Sequence, residues 1–193
     1  MSAQTQQRYY TPKEYLKLEE TADYKSEYRG GEVVPMTGGT TDHNDIAGNF
    51  YAYLKLALRR KPYKVFIGDV RLWIPSCKLF TYPDVMVIAG EPAFYEERSD
   101  TVTNPQMIVE VLSKSTRNYD QGDKFDFYRT IPEFQEYVLV DQYQVLVKHF
   151  SKTSEGYWLL KEYVNRTQEL VLSSIEFEIS LDQIYEGTEL INQ

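Results

Sequence analysis

The chain has 193 residues, of which 42% are hydrophobic and 26% are charged, and its formal net charge is −8. These fractions are ordinary for a folded globular protein and argue against disorder. The acidic balance argues against strong non-specific binding to nucleic acid, which needs many Lys and Arg contacts to phosphate. The length suits one domain spanning 1–193, with a polar and loosely held start at 1–8.

The few cysteine and histidine residues exclude several kinds of site. Cys77 is the single cysteine, so neither an internal disulfide nor a cysteine-built zinc site can form. His43 and His149 are the two histidines, too few for a histidine-built zinc site, and we interpret His149 as structural and Cys77 as a spectator thiol. The start has no basic-then-apolar signal pattern, and no apolar stretch approaches the roughly 20 residues of a membrane span. We therefore expect a cytoplasmic protein that does not enter a membrane.

The first third of the chain predicts a helix, a hairpin and a longer helix. A capping box at Thr11–Glu14 starts a short helix over 11–20. Two strands over 24–36 flank Gly30-Gly31, a favoured hairpin turn. The longer helix begins at a cap on Thr41 or Asp42 and runs through Arg60, with its apolar residues near helical spacing.

After Pro62 the apolar pattern changes to that of strands. The stretch 90–105 is polar and predicts a surface loop, and helices are expected over 120–130 and over 180–186, the latter starting at Ser180. The predicted strands are 65–67, 70–74, 84–89, 106–112, 136–140, 145–150 and 157–163. This order predicts an α/β fold with a mixed central β-sheet flanked by helices.

Two carboxylates stand out in these strands. Pro83 directly precedes Asp84 at a strand start and fixes the entry of the chain. Glu110 lies inside a strongly apolar strand, where an unpaired carboxylate costs several kcal/mol, roughly, so a cation or metal partner is expected. If the two strands are neighbours, both carboxylates reach one spot and suit Mg²⁺ or Mn²⁺, which prefer oxygen ligands. Asp84 could alternatively be a simple turn residue.

A lysine follows on the next predicted helix. Asp120, Lys124 and Tyr128 share one helix face at a spacing of four residues. Lys124 could reach back over the two carboxylates and stabilise charge on a phosphodiester under attack. The alternative is a solvated lysine that pairs with Asp120.

A set of motifs resembles a bacterial family, the Uma-type putative restriction endonucleases, long called a domain of unknown function and placed in the PD-(D/E)XK nuclease superfamily. Each motif is weak alone, but together they span about residues 9–150. The motifs are Pro83-Asp84, Val109–Ser113, Ser115-Thr116, Asp120, Asp123-Lys124, Tyr128, Glu136-Tyr137, and Tyr24–Met36 followed by His43.

The resemblance implies a restriction-endonuclease-like core with Asp84 and Glu110 as acids on adjacent strands. It also implies a lysine two residues after the second acid, where this chain has Leu112, so the role passes to Lys124. An upstream glutamate often joins such sites; Glu27 is the candidate and Glu32 the second choice. His43, at the start of the long helix, lines the same cleft in this interpretation. Glu27 could instead lie on a wet strand face, and His43 could be a plain first-turn residue.

Basic residues are concentrated in 55–64, and we interpret this segment either as a solvated helix end or as a DNA contact.

The leading hypothesis for function is a Mg²⁺-dependent (or Mn²⁺-dependent) DNA endonuclease. The alternative is a non-catalytic binding or regulatory module with the same fold. A homodimer through exposed aromatic residues (Tyr137, Tyr143 and Trp158) is a further expectation. The choice between DNA and RNA stays open.

Overall fold

The computed structural model describes residues 8–190, so most of the predicted loose start (1–7) lies outside the described range. Its helices are α1 (Pro12–Glu19), α2 (Thr41–Ala57), α3 (Arg117–Gln121), α4 (Asp123–Tyr128) and α5 (Leu181–Ile184). Its strands are β1 (Ser26–Arg29), β2 (Glu32–Pro35), β3 (Tyr63–Ile67), β4 (Arg71–Ile74), β5 (Leu79–Thr81), β6 (Val85–Ala89), β7 (Thr101–Val102), β8 (Met107–Leu112), β9 (Glu136–Asp141), β10 (Val147–Lys152), β11 (Trp158–Tyr163), β12 (Glu169–Leu172) and β13 (Phe177–Ser180).

The larger sheet is mixed and has the strand order β11-β10-β9-β8-β6-β3. Strands β8 and β9 are parallel, and the other neighbours in this sheet are antiparallel. Alternate residues of each strand face opposite sides. Val85 and Val109 therefore pack with α2 on one side, whereas Met86 and Ile108 pack with Tyr128 of α4 on the other. Even-numbered positions of β6 and β8 thus face α4, and this sets the direction of the Glu110 side chain described below.

A second sheet has the order β2-β1-β5-β4-β7 and carries its own aromatic cluster. Tyr15 of α1 packs there with Tyr28, Trp73 and Phe80, all of them buried. The turn between β1 and β2 places Gly30 at φ 57° and Gly31 at φ 115°, as a Gly-Gly hairpin turn requires. Strands β12 and β13 form a separate antiparallel hairpin.

The α/β class with mixed sheets and flanking helices is confirmed, although the strands divide between two larger sheets rather than one. The predicted bounds of several elements are wrong. Helix α2 is capped by Thr40, whose side chain accepts from the His43 amide, and it ends before Arg60, whose φ is 66°. The predicted helix over 120–130 is two helices that meet at Gly122. The predicted loop 90–105 contains β7, which pairs with β4.

Strand β5 and the hairpin of β12 and β13 were not predicted from the sequence. The aromatic surface proposed for a homodimer is also partly wrong. Tyr137 is fully buried, and the Trp158 ring packs edge-on against Phe125 at 5.2 Å between centroids. Tyr143 is 43% exposed, as expected. Across residues 8–190, no helix combines the length and the apolar character needed to cross a membrane.

Candidate functional site

The two candidate acids meet because their strands are neighbours. Strands β6 and β8 pair antiparallel with Val85 opposite Val109, and the next step of that register sets Asp84 opposite Glu110. Glu110 points to the side of the sheet that α4 covers, where it contacts Lys124. Asp84 directly precedes β6, and its carboxylate accepts from the Val111 amide of β8 at 2.8 Å. Both acids line one cavity of about 310 Å³. The sequence predicted that the two carboxylates would lie together if their strands were neighbours, and the structure brings them to one cavity.

Glu110 is buried and held by two donors from α4. Its Oε1 accepts from Lys124 Nζ at 2.9 Å and from the Tyr128 hydroxyl at 2.6 Å. Burial raises the pKa of Glu110 to about 8, Lys124 opposes that rise, and the charges of Asp84 and Asp120 add to it. The site therefore has more negative charge than Lys124 alone balances.

Lys124 is the central cation of the site. Its Nζ lies 3.2 Å from Asp120 Oδ1 and 3.8 Å from Glu27 Oε1, in addition to its contact with Glu110. Burial alone would lower the pKa of Lys124, but the surrounding carboxylates raise it well above its usual value, so the amine stays charged. The side chain is 6% exposed, so the alternative of a solvated surface lysine is wrong, although the pair with Asp120 exists.

Glu27 is buried on β1, and the alternative that it lies on a wet face is also wrong. Its Oε1 accepts from the Thr81 hydroxyl, and its Oε2 accepts from Arg29 Nε at 2.8 Å and from Arg29 Nη2. Burial raises the pKa of Glu27, but Lys124, Thr81 and Arg29 outweigh burial and lower it overall. Glu32, the second choice, lies opposite Arg29 in the backbone register of β1 and β2 and does not line the acidic cavity.

His43 reaches Asp84 from the first turn of α2. Its Nε2 lies 3.1 Å from Asp84 Oδ1, while the Val111 amide donates to Asp84 Oδ2 at 2.8 Å. Burial lowers the pKa of His43, but the hydrogen bond and charge of Asp84, with the charge of Glu110, raise it overall. Gly39 permits the approach, since a Cβ there would lie 2.9 Å from the His43 ring. His43 therefore orients Asp84 as well as lining the cavity.

The donor set suits a hard divalent cation. Within residues 8–190 nothing donates to Glu110 Oε2, and each Asp84 oxygen accepts one bond and keeps a further lone pair. Over the same range, no group of three or more His, Cys, Asp or Glu side chains converges as a metal cluster. A cation here would rest on Asp84 and Glu110, with water and substrate oxygens completing its shell, which is a common arrangement for Mg²⁺.

Some contributors to the site were not singled out from the sequence. Arg29 and Thr81 both bind Glu27, and Thr81 belongs to the strand that was not predicted. Arg29 lies two residues after Glu27 on a strand, so the shared face was a usable signal. Thr81 offered no such signal, because its contact depends on the pairing of β1 with β5.

Comparison with known proteins gives three kinds of match. The model of the Uma2 family, described as "Putative restriction endonuclease", matches residues 12–183. Two uncharacterized proteins of Synechocystis sp. are similar: one is 44% identical over 163 residues (84% of this chain and 92% of the relative), and the other is 34% identical over 179 residues (92% of each). A crystal structure described as a putative nuclease belonging to DUF820 from Anabaena variabilis matches with a TM-score of 0.75 and 16% identity, covering 91% of this chain and 97% of that one. At this identity the last match shows a shared fold alone.

Proposed function

Because this chain belongs to the Uma2 family of putative restriction endonucleases, we propose that it is a metal-dependent endonuclease that hydrolyses phosphodiester bonds in DNA. The observation that carries the proposal is that Asp84, at the start of β6, and Glu110, on the neighbouring strand β8, line one cavity, with a buried, charged Lys124 against Glu110. Charged groups buried at a cavity wall and strongly shifted in pKa are typical of catalytic sites.

Asp84 and Glu110 would hold Mg²⁺ or Mn²⁺, and the bound cation would supply positive charge at the phosphate and ease the loss of a proton from water. The remaining residues keep these two ligands in place. His43 and the Val111 amide orient Asp84, and Tyr128 orients Glu110. Such supporting contacts reduce the rearrangement needed when substrate binds.

In the reaction, a water oxygen forms a bond to phosphorus, one ester P–O bond breaks, and the leaving oxygen takes up a proton. Lys124 would stabilise the negative charge that develops on the phosphoryl oxygens. Its high pKa keeps the amine protonated throughout, so it acts as a fixed positive charge rather than as a general base. Glu27 would help hold Lys124 in position through their 3.8 Å contact.

The test is incubation of the purified protein with plasmid DNA and Mg²⁺ or Mn²⁺. We expect nicking or linearisation by the wild type and none by Asp84→Ala, Glu110→Ala or Lys124→Ala. Asp126→Ala is the matched control, since Asp126 is an exposed acid on α4 that pairs with the exposed Arg129 at 3.0 Å. Cleavage retained by Asp84→Ala or Glu110→Ala would remove the metal-site proposal, and cleavage retained by Lys124→Ala alone would remove the role given to Lys124.

The second candidate is a non-catalytic binding module. This candidate is favoured by the contact of Lys124 with Glu110, which gives that carboxylate a cation partner without a metal, and by the lack of a third acidic ligand beside Asp84 and Glu110 in the described range. Calorimetry with Mn²⁺ separates the two candidates. Heat from saturable binding that Asp84→Ala abolishes favours the nuclease, and its absence in a wild type that is inert on several DNAs favours the binding module.

A further inference from the structure

A second cavity opens beside the acidic one. It has a volume of about 280 Å³ and is lined in part by Arg29, Ser115, Thr116, Tyr119 and Lys124. We call it the side cavity. Ser115, Thr116 and Lys124 also line the acidic cavity, so the two spaces adjoin along these residues. A chain-like ligand in the acidic cavity can therefore continue into the side cavity.

Two cations, Arg29 and Lys124, line the side cavity with a single carboxylate, Glu27, and Arg29 keeps free hydrogen-bond donors. Its Nε and Nη2 donate hydrogen bonds to Glu27 Oε2, while no described residue accepts a hydrogen bond from Nη1. The guanidinium lies over the Tyr119 ring at 3.7 Å from the ring centroid, which fixes its plane, and the side chain is 35% exposed. A planar guanidinium with free donors, held in place by a ring and a carboxylate, suits a phosphate group.

Hydroxyl groups surround the same space. Ser115 and Thr116 each contact Ser113 Oγ, at 3.1 and 2.9 Å, and stand where the two cavities adjoin. The Tyr119 hydroxyl is buried and has no hydrogen-bond partner in the described residues. Serine and threonine hydroxyls such as those of Ser115 and Thr116 commonly contact phosphate oxygens in nucleic-acid complexes.

Glu27 has other partners besides Arg29. Lys124 lies 3.8 Å from Glu27 Oε1 and Thr81 donates to the same oxygen, so that carboxylate already has a cation and a donor. In contrast, the acidic cavity contains Asp84, Glu110 and the nearby Asp120 around a single lysine, which repels a polyanion. An additional fixed cation beside it offsets that repulsion.

We infer that the side cavity binds, through Arg29, the phosphate group of a nucleic-acid strand next to the phosphodiester at Asp84 and Glu110. This inference rests on the proposed function for its ligand. Arg29 is then a positioning residue: it aligns the strand but does not touch the reacting atoms. The strand runs from the acidic cavity past Ser115 and Thr116 to the Arg29 guanidinium.

The experiment is fluorescence anisotropy with a short labelled single-stranded DNA in EDTA, where binding is measured without turnover, over a range of salt concentrations. We expect Arg29→Gln to weaken binding about tenfold and to reduce the salt slope by about 0.7, the value for one lost phosphate contact on a single strand. Arg29→Lys keeps a charge opposite Glu27, so it should preserve the fold and the salt slope but not the full affinity, because the bidentate geometry is lost.

Arg166→Gln is the matched control, since Arg166 pairs with the exposed Asp182 at 2.7 Å and lines neither cavity. Unchanged affinity and slope in both Arg29 variants, or no salt-dependent binding by the wild type, would overturn the inference. The outcomes for the proposed function are separate. If binding depends on Arg29 but the protein never cleaves DNA, the side cavity is supported and catalysis is contradicted. If the protein cleaves DNA with metal but its binding does not change in the Arg29 variants, catalysis is supported and the side cavity is contradicted.

Discussion

Replacement of Lys124 by methionine tests whether the site is held together by one buried cation. Methionine keeps most of the side-chain length and removes the charge. The Lys124 amine lies 2.9, 3.2 and 3.8 Å from oxygens of Glu110, Asp120 and Glu27, and all three carboxylates are nearly inaccessible to solvent. Loss of one partner from a buried ion pair costs about 3–5 kcal/mol, because the remaining charge has no compensation.

For a protein of this size, that loss of stability corresponds to a decrease in Tm of about 6–20 °C. The direction of the pH dependence follows from Glu110. Its pKa in the folded protein is already raised above the ordinary carboxyl value by burial, and Lys124 opposes the rise, so removal of Lys124 raises it further. Between the ordinary carboxyl pKa of the unfolded chain and the raised Glu110 pKa of the folded variant, the folded variant binds more protons than the unfolded chain. The stability of the variant therefore falls as pH rises through that range.

The assay is thermal unfolding followed by circular dichroism, at one pH below neutrality and one above the Glu110 pKa of about 8, where the wild type and the variant differ in bound protons. We expect Lys124→Met to lose more Tm at the higher pH, and Lys124→Met with Glu110→Gln to recover much of the loss, because both charges are then absent. Lys61→Met is the control, since Lys61 is exposed. A Tm decrease no larger than that of Lys61→Met, or one independent of pH, would refute the reasoning.

Three further predictions address other parts of the molecule. Addition of Mg²⁺ at 100 times its Kd should stabilise the wild type by about 2.7 kcal/mol in thermal melts and leave Asp84→Asn unchanged; equal shifts in both would contradict the assigned ligand. Tyr128→Phe removes the 2.6 Å hydrogen bond to Glu110 and should cost about 1.5–3 kcal/mol in denaturant unfolding, whereas a neutral result would show that the bond contributes nothing. Gly31→Ala, at φ 115°, should lower the Tm, and Gly48→Ala, with open space inside α2, should raise it; the same sign for both would contradict the backbone argument.

The local signals of the sequence predicted much of the secondary structure. The capping box of α1 and the cap at Ser180 of α5 are present as predicted, and the Gly-Gly turn joins β1 to β2. These features succeed because the hydrogen bonds involved join residues at most three positions apart. The errors fall where tertiary packing decides: β7 has two residues and forms by pairing with β4, about 30 positions earlier in the chain.

The candidate site shows the same division. The sequence by itself identified Glu110, because a carboxylate in an apolar strand requires a partner, and it placed Lys124 and Tyr128 on one helical face. Only the tertiary structure decided that Asp84 lies opposite Glu110, since strand neighbours and register depend on contacts between residues far apart in the chain. The same holds for Glu27, which reaches Lys124 across 97 positions of sequence through the second sheet. Residue identity and local periodicity determine which groups are available, and the pairing of distant strands determines which of them meet.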